Sequence, residues 1–290
     1  MREAHLSRSS VRWFPRWTTV AAVLLFLVPA FDALAGVLVA PPVVILSDKG
    51  RTGRITVQNT ATTPREVTIN FAFGLPESDS LGNVSVLLQD SAITDPFSCV
   101  GWVKAFPRRL ILQPNSQQVV RFVAKPPKDL ANGEYWSRVV VQSKESEAAV
   151  PTSDPEQAIT AKINMIMQTA IMLKYRQGDV FARLELQDTQ VEDHDSTVQV
   201  MLDLKSQGTA SYIGVLHCRL RDANGKLVGS DNLQLAVYRH LRRRFVFPVV
   251  GEDFVKPYQV EVEITSKGRT DIDARDMIYG NDIDYSMLVE

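Results

Sequence analysis

Short segments rich in β-branched residues follow one another along most of the chain, and turn-forming residues close each of them. The first series includes "GRITVQN", "REVTINFAF" and "QQVVRFVA", stops at "RQGD" (176–179), and gives way to a second with "TVQVMLDLKS" and "YQVEVEIT". Such segments predict antiparallel strands, and no stretch shows the stripe of an amphipathic helix. The sequence therefore predicts an all-β fold of two immunoglobulin-like β-sandwich domains, at residues 36–177 and 178–266.

The amino end has the composition of a signal peptide. Four arginines precede the apolar run "TTVAAVLLFLVPA", and small residues follow at Ala33 and Ala35. This order predicts residues 1–35 to be a signal peptide cut after Ala35, which would export the protein to the periplasm. The competing interpretation is an uncleaved anchor at residues 18–31. No second apolar run follows, so we expect no membrane span in the mature chain.

Two further segments carry no regular pattern. Residues 267–290 are acidic and aperiodic, which predicts an extended or disordered tail. Residues 143–160, "SKESEAAVPTSDPEQAIT", are polar and contain proline. They are read either as a surface loop or as a loop that orders when a partner extends the neighbouring strand.

Charge and cysteine content narrow the function classes. The chain has a net charge of −1, and the part after residue 35 has −3, so the overall charge indicates neither nucleic acid nor an anionic membrane as a partner. Cys99 and Cys218 fall in different predicted domains. Two buried thiols are therefore favoured, although an oxidising compartment permits a disulfide.

A search for reactive groups gives two motifs with ordinary explanations. "EDHD" (192–195) could contact a divalent cation, but its composition is more typical of a solvated turn. "RHLRRRF" (239–245) is expected to protect a strand edge, or else to meet an anionic envelope surface. Nucleophile, phosphate-loop and cofactor motifs are absent from the sequence, so we expect no enzyme, no metal and no cofactor.

The stretch "INMIMQTAIMLKYR" (163–176) is unusually long for one strand. At about 3.3 Å per residue it spans roughly 46 Å, about twice the length of a typical strand. Alternate residues share one apolar face: Ile163, Met165, Met167, Thr169, Ile171, Leu173 and Tyr175. These side chains are either sandwich core or an apolar row that a partner covers.

Three segments resemble, in order and spacing, the periplasmic pilus-assembly chaperones of the PapD-like family: "RRLILQPNSQQVVRF" (108–122), "GEYWSRVVVQS" (133–143) and "INMIMQTAIMLKYR". The resemblance implies an L-shaped pair of sandwiches whose first domain lends its last strand to a secreted subunit. It implies pilus or fimbrial subunits and an outer-membrane usher as partners, with Ile163, Met165 and Met167 as the subunit-binding strand. Methionine suits such a strand because its flexible side chain adapts to grooves of different shape.

The chain departs from this family at the charges that hold the subunit's terminal carboxylate. The family places an Arg in the first strand and a Lys in the last, whereas this chain has the "APPV" region and Met172 there. Lys174 and Arg176 lie one and two pleats from Met172 on the same face, and either could hold a carboxylate at a shifted site. In the family pattern the position of Arg176 is largely structural, so Lys174 is the candidate carboxylate anchor.

Together with the predicted export signal, the resemblance implies a periplasmic chaperone that lends a β-strand to secreted fimbrial subunits and keeps them from aggregating. The alternative is an immunoglobulin-like envelope protein with a structural or adhesive role.

Overall fold

The computed structural model describes residues 36–89, 95–146, 165–249 and 254–289. Within these ranges the chain forms strands and no α-helix, with one 3-10 turn at Val100–Trp102. The predicted all-β fold is therefore confirmed. The strands are β1 Val37–Ala40, β2 Val43–Ser47, β3 Thr52–Asn59, β4 Arg65–Ala72, β5 Pro76–Ser78, β6 Val84–Val86, β7 Val103–Phe106, β8 Arg109–Leu112, β9 Gln117–Ala124, β10 Gly133–Glu145, β11 Met167–Gln177, β12 Leu184–His194, β13 Thr197–Ser206, β14 Tyr212–Arg221, β15 Leu227–Val237, β16 His240–Pro248, β17 Tyr258–Thr265 and β18 Ile283–Val289.

The first sandwich consists of two sheets that pack face to face. One sheet has the strand order β1-β3-β9-β7 and the other has β2-β11-β10-β4-β8. Alternate residues of each sheet enter a shared core, for example Ile55 and Phe122 from one sheet and Ile69 and Leu173 from the other. This alternation is the period-two pattern that the sequence shows. The short hairpin of β5 and β6 forms a separate two-stranded sheet.

The second sandwich pairs the sheet β12-β13-β16 with the sheet β15-β14-β17-β18. Its core takes inward-facing residues from both sheets, among them Leu202 of β13 and Leu216 of β14. The "DANGK" segment closes the turn between β14 and β15, where Gly225 has a φ of 79°. Glycine suits this position because a Cβ would be strained there.

The segment predicted as an extended or disordered tail contributes to the second sandwich. Residues Ile283–Val289 form β18, which pairs antiparallel with β17 along its whole length. Val289 is part of the core. The prediction that residues 267–290 form an extended or disordered tail outside the sandwich is therefore wrong for Ile283–Val289. The segment does carry a strand pattern, because Ile283, Tyr285, Met287 and Val289 alternate along it, but this is one short strand in an otherwise acidic stretch and the sequence analysis missed it.

The basic run "RHLRRRF" forms hydrogen bonds with residues between β4 and β7, outside the second sandwich. Arg239 donates two hydrogen bonds of 2.7 Å to the carboxylate of Asp95. The backbone N–H of Arg242 donates to Ser78 Oγ at 2.7 Å, and the Arg244 guanidinium donates to Asn83 Oδ1 at 3.2 Å. The run lies on β16, an edge strand of its sheet, as one of the two expectations had it. Its arginines also reach residues outside the second sandwich, namely Asp95 and the β5–β6 hairpin.

Both cysteines are free, buried thiols, as expected. Burial raises the pKa of the Cys99 thiol to about 12, and burial does the same for Cys218. These thiols are inert at neutral pH because the thiolate is the reactive form. In the ranges that the structure describes, no helix has the length and apolar character needed to cross a membrane.

Candidate functional site

Strand β11 has a full neighbour on one side and a partial neighbour on the other. It pairs antiparallel with β10 from Met167 to Gln177. It pairs in parallel with β2 only from Met172 to Arg176, because the preceding strand β1 belongs to the other sheet and β2 begins at Val43. Among the described residues, the segment Met167–Ile171 therefore has no strand beside it on the side away from β10.

The direction of the backbone groups along this segment follows from one hydrogen bond. The N–H of Met172 donates to the carbonyl of Pro42, on the β2 side, at 3.2 Å. The N–H and C=O groups of successive strand residues point to opposite sides, so every second residue points the same way. Gln168 and Ala170 lie four and two residues before Met172, and their backbone groups therefore also point away from β10. They form an edge that can accept another strand. We call Met167–Ile171 the open edge.

The three predicted subunit-binding residues lie in different surroundings. Ile163 lies outside the described residues. Met165 precedes β11 and is 54% exposed, so it is not a core residue. Met167 begins β11 and is partly buried. Its side chain packs against Gly36 so closely that a Cβ at Gly36 would lie only 3.1 Å from the Met167 Cε. The strand is therefore shorter at its start than the sequence pattern predicts.

Farther along β11, the predicted alternation holds. Ile171, Leu173 and Tyr175 point into the core of the first sandwich. Met172 points the other way, into a small apolar cluster with Trp136 of β10 and Tyr238 of the second sandwich. One end of the strand is thus exposed, while the other is buried on both faces.

Lys174, the candidate carboxylate anchor, is buried with only 1% of its surface exposed. Its Nζ lies 3.2 Å from Glu134 Oε1 and donates to Ser211 Oγ at 2.5 Å. Arg176 Nε lies 2.9 Å from the other oxygen of Glu134. The ammonium group is therefore already paired inside the protein. An incoming carboxylate would have to displace Glu134 in a site closed to water, so Lys174 does not suit the role that the sequence analysis gave it.

Glu134 is the centre of a charged network between the two sandwiches. Burial by itself would raise its pKa, but Lys174 and Arg176, with hydrogen bonds from Ser211 and Trp136, outweigh burial and lower the pKa to about 2. Burial also lowers the pKa of Lys174 below its ordinary value, and Glu134 opposes that change. The network has a structural role because every charged group in it is paired within the chain.

Arg138 is a second cation beside Met172, and the sequence analysis missed it. It lies on β10 directly opposite Met172, so the two side chains share one face of the sheet. Its Nε donates to the Gly74 carbonyl at 3.0 Å, and burial lowers the pKa of its guanidinium. Among the residues that the structure describes, no carboxylate forms an ion pair with it. The sequence shows its strand but not its register against β11.

The "EDHD" turn shows ordinary surface pairing. His194 lies 3.4 Å from Glu192, and Asp193 pairs with Lys256. Among the described residues there is no group of three or more acidic, histidine or cysteine side chains arranged to hold a metal ion.

No family model matches the sequence, and no curated protein sequence matches it. Several solved structures resemble the chain at low identity. The YadV chaperone is 12% identical with a TM-score of 0.44, over 87% of this chain and 99% of that one. The CupB2 chaperone of Pseudomonas aeruginosa is 13% identical with a TM-score of 0.41, over 87% of this chain and 100% of its own. The E. coli chaperone DraB is 11% identical with a TM-score of 0.41, over 87% and 96%. Identities and TM-scores this low assign no function, which has to follow from this chain's own residues.

Proposed function

We propose that this protein is a periplasmic chaperone that binds secreted pilus or fimbrial subunits by pairing its open edge with them, and so keeps them from aggregating. The observation that carries the proposal is the open edge itself, where Gln168 and Ala170 direct backbone groups away from β10 and no strand of the described ranges pairs with them. The exposed Met165 beside it supplies an adaptable apolar side chain. Strand addition uses both features: the backbone gives hydrogen bonds and the side chains fill pockets of the partner.

The sequence resemblance to the PapD-like chaperones supports the same mode of binding. Export to the periplasm through the signal peptide 1–35 belongs to the proposal, as does delivery of the subunit to an outer-membrane usher. Ile163 remains part of the proposed binding strand, with Met165 and Met167.

Arg138 replaces Lys174 as the proposed anchor for the subunit's terminal carboxylate. Arg138 lies across from Met172 in the register of β10 and β11, and Met172 is the position where the family carries its lysine. Burial has removed part of the hydration of the Arg138 guanidinium, and a carboxylate partner would restore a favourable charged hydrogen bond. We expect Arg138→Met to weaken subunit binding by about 1.5 to 3 kcal/mol, and amidating the subunit's terminus to cost this variant little more. Additive losses would remove Arg138 from the site.

The open edge is tested by removing one backbone donor. Ala170→Pro eliminates an N–H that points away from β10, so the fold should persist while capture of subunits from a periplasmic extract is lost. Ala170→Val keeps the N–H and should capture normally. Thr169→Pro removes an N–H that points toward β10, so it should destabilise the first sandwich instead.

Met165→Asp tests the apolar part of the site. Because Met165 is exposed, this variant should melt as the unchanged protein does while capturing less subunit. Normal capture by both Ala170→Pro and Met165→Asp would contradict strand lending. It would favour the structural or adhesive envelope role.

A further inference from the structure

The outer surface of the sheet β1-β3-β9-β7 is a separate feature of the first sandwich. Alternate residues of its strands point away from the core, toward solvent. We call these outward side chains the basic face: Leu38, Ala40, Thr52, Arg54, Thr56, Gln58, Lys104, Phe106, Gln117, Val119, Arg121 and Val123.

All the charges on the basic face are positive. Arg54 and Arg121 lie directly opposite each other in the register of β3 and β9, and Lys104 lies on the adjoining strand β7. Like charges in directly opposite positions destabilise a sheet. None of these three cations takes part in an ion pair with any residue of the described ranges, although the chain as a whole is slightly acidic. This local charge does not show in the composition.

Exposed apolar side chains stand among these cations. Phe106 is 55% exposed and lies directly opposite Arg121. Leu38 is 60% exposed at the β1 edge, and Val119 is also exposed. A phenylalanine beside two arginines suits an anionic interface, because the ring can enter the apolar layer while the cations remain with the headgroups, as they do in interfacial helices.

We propose that the basic face binds the anionic lipid surface of a membrane. The two arginines and Phe106 form one row across three strands, which at about 4.8 Å per strand spans roughly 10 Å of open sheet surface. A layer of phosphate headgroups presents negative charge continuously, so it can neutralise cations spaced in this way without a matched set of carboxylates. The lipid surface therefore fits this face better than a single acidic protein does.

This surface is independent of the strand-lending proposal. The open edge belongs to β11, in the other sheet of the sandwich. Membrane binding through the basic face would leave that edge accessible. Failure of either proposal leaves the other standing.

Vesicle cosedimentation tests the proposal with residues 36–290, which form one compact unit. The probes are phosphatidylglycerol vesicles and neutral phosphatidylcholine vesicles. We expect binding to the anionic vesicles only, weakening as salt screens the charges. Each cation at an anionic surface contributes about fivefold in affinity, so Arg54→Gln with Arg121→Gln should weaken binding about 25-fold.

A matched control removes the same charge elsewhere. Lys128→Gln with Lys205→Gln neutralises two exposed lysines off the basic face, and it should bind the vesicles as the unchanged protein does. Equal losses in the two double variants would overturn the proposal, because they would show attraction to overall charge alone. Absence of binding to anionic vesicles at low salt would also overturn it. So would binding to polyglutamate without binding to vesicles, which would assign the face to an acidic polypeptide.

Discussion

Replacing Lys174 with methionine separates a structural role of this lysine from a binding role. The paired lysine and arginine lower the pKa of Glu134 from 4.5 to about 2 against the effect of burial. At about 1.36 kcal/mol per pKa unit this change corresponds to about 3 kcal/mol. Breaking a buried ion pair typically costs about 3 to 5 kcal/mol, and Arg176 remains beside Glu134 to limit the loss.

We therefore expect Lys174→Met to lower the free energy of unfolding by about 3 kcal/mol, which for a chain of this size lowers the Tm by about 6 to 12 °C. Urea titration and calorimetry measure the two quantities. Lys205→Met, at an exposed position, is the matched control and should change stability by less than about 0.5 kcal/mol.

A double-mutant cycle with Glu134→Gln then tests the contact itself. Because the two groups touch, the combined variant should lose less stability than the sum of the single losses. Unchanged stability of Lys174→Met together with weakened subunit capture would refute this reasoning. That outcome would restore Lys174 as the carboxylate anchor.

Three further predictions concern stability. The pKa of Glu134 is lower in the folded protein than the ordinary value of 4.5, so its contribution to the free energy of unfolding is present above pH 4.5 and is lost as the pH falls toward about 2. Glu134→Gln should remove this part of the acid dependence in unfolding curves taken between these pH values. Asn59→Ala should cost about 2 to 3 kcal/mol in urea unfolding, because the buried amide donates to three backbone carbonyls and accepts from the Ala61 N–H; a loss below about 0.5 kcal/mol would mean that water replaces these bonds. Arg239→Gln and Asp95→Asn should show a coupling energy of about 0.5 to 1 kcal/mol in a double-mutant cycle, and zero coupling would mean that this partly exposed pair does not join the sandwiches.

The sequence determined the fold class and most of the strands by local means. A period-two pattern of buried side chains is imposed on each strand by the pleat, and turn residues mark its ends, so both can be read without knowing which strands are neighbours. The buried positions Ile171, Leu173 and Tyr175 follow from this pattern.

The tertiary structure decided which strands lie side by side. Pairing between strands is a backbone contact that leaves little trace in side-chain type, so even the alternating residues of β18 did not show that it lies beside β17. The partner of a charged residue is equally hard to predict from the sequence. A lysine on an outward face is solvated when nothing packs against it. Lys174 instead faces the second sandwich and pairs with Glu134, which lies 40 residues earlier in the sequence. Arg138 became visible beside Met172 only through the register of β10 against β11, and the open edge only because β2 begins at Val43.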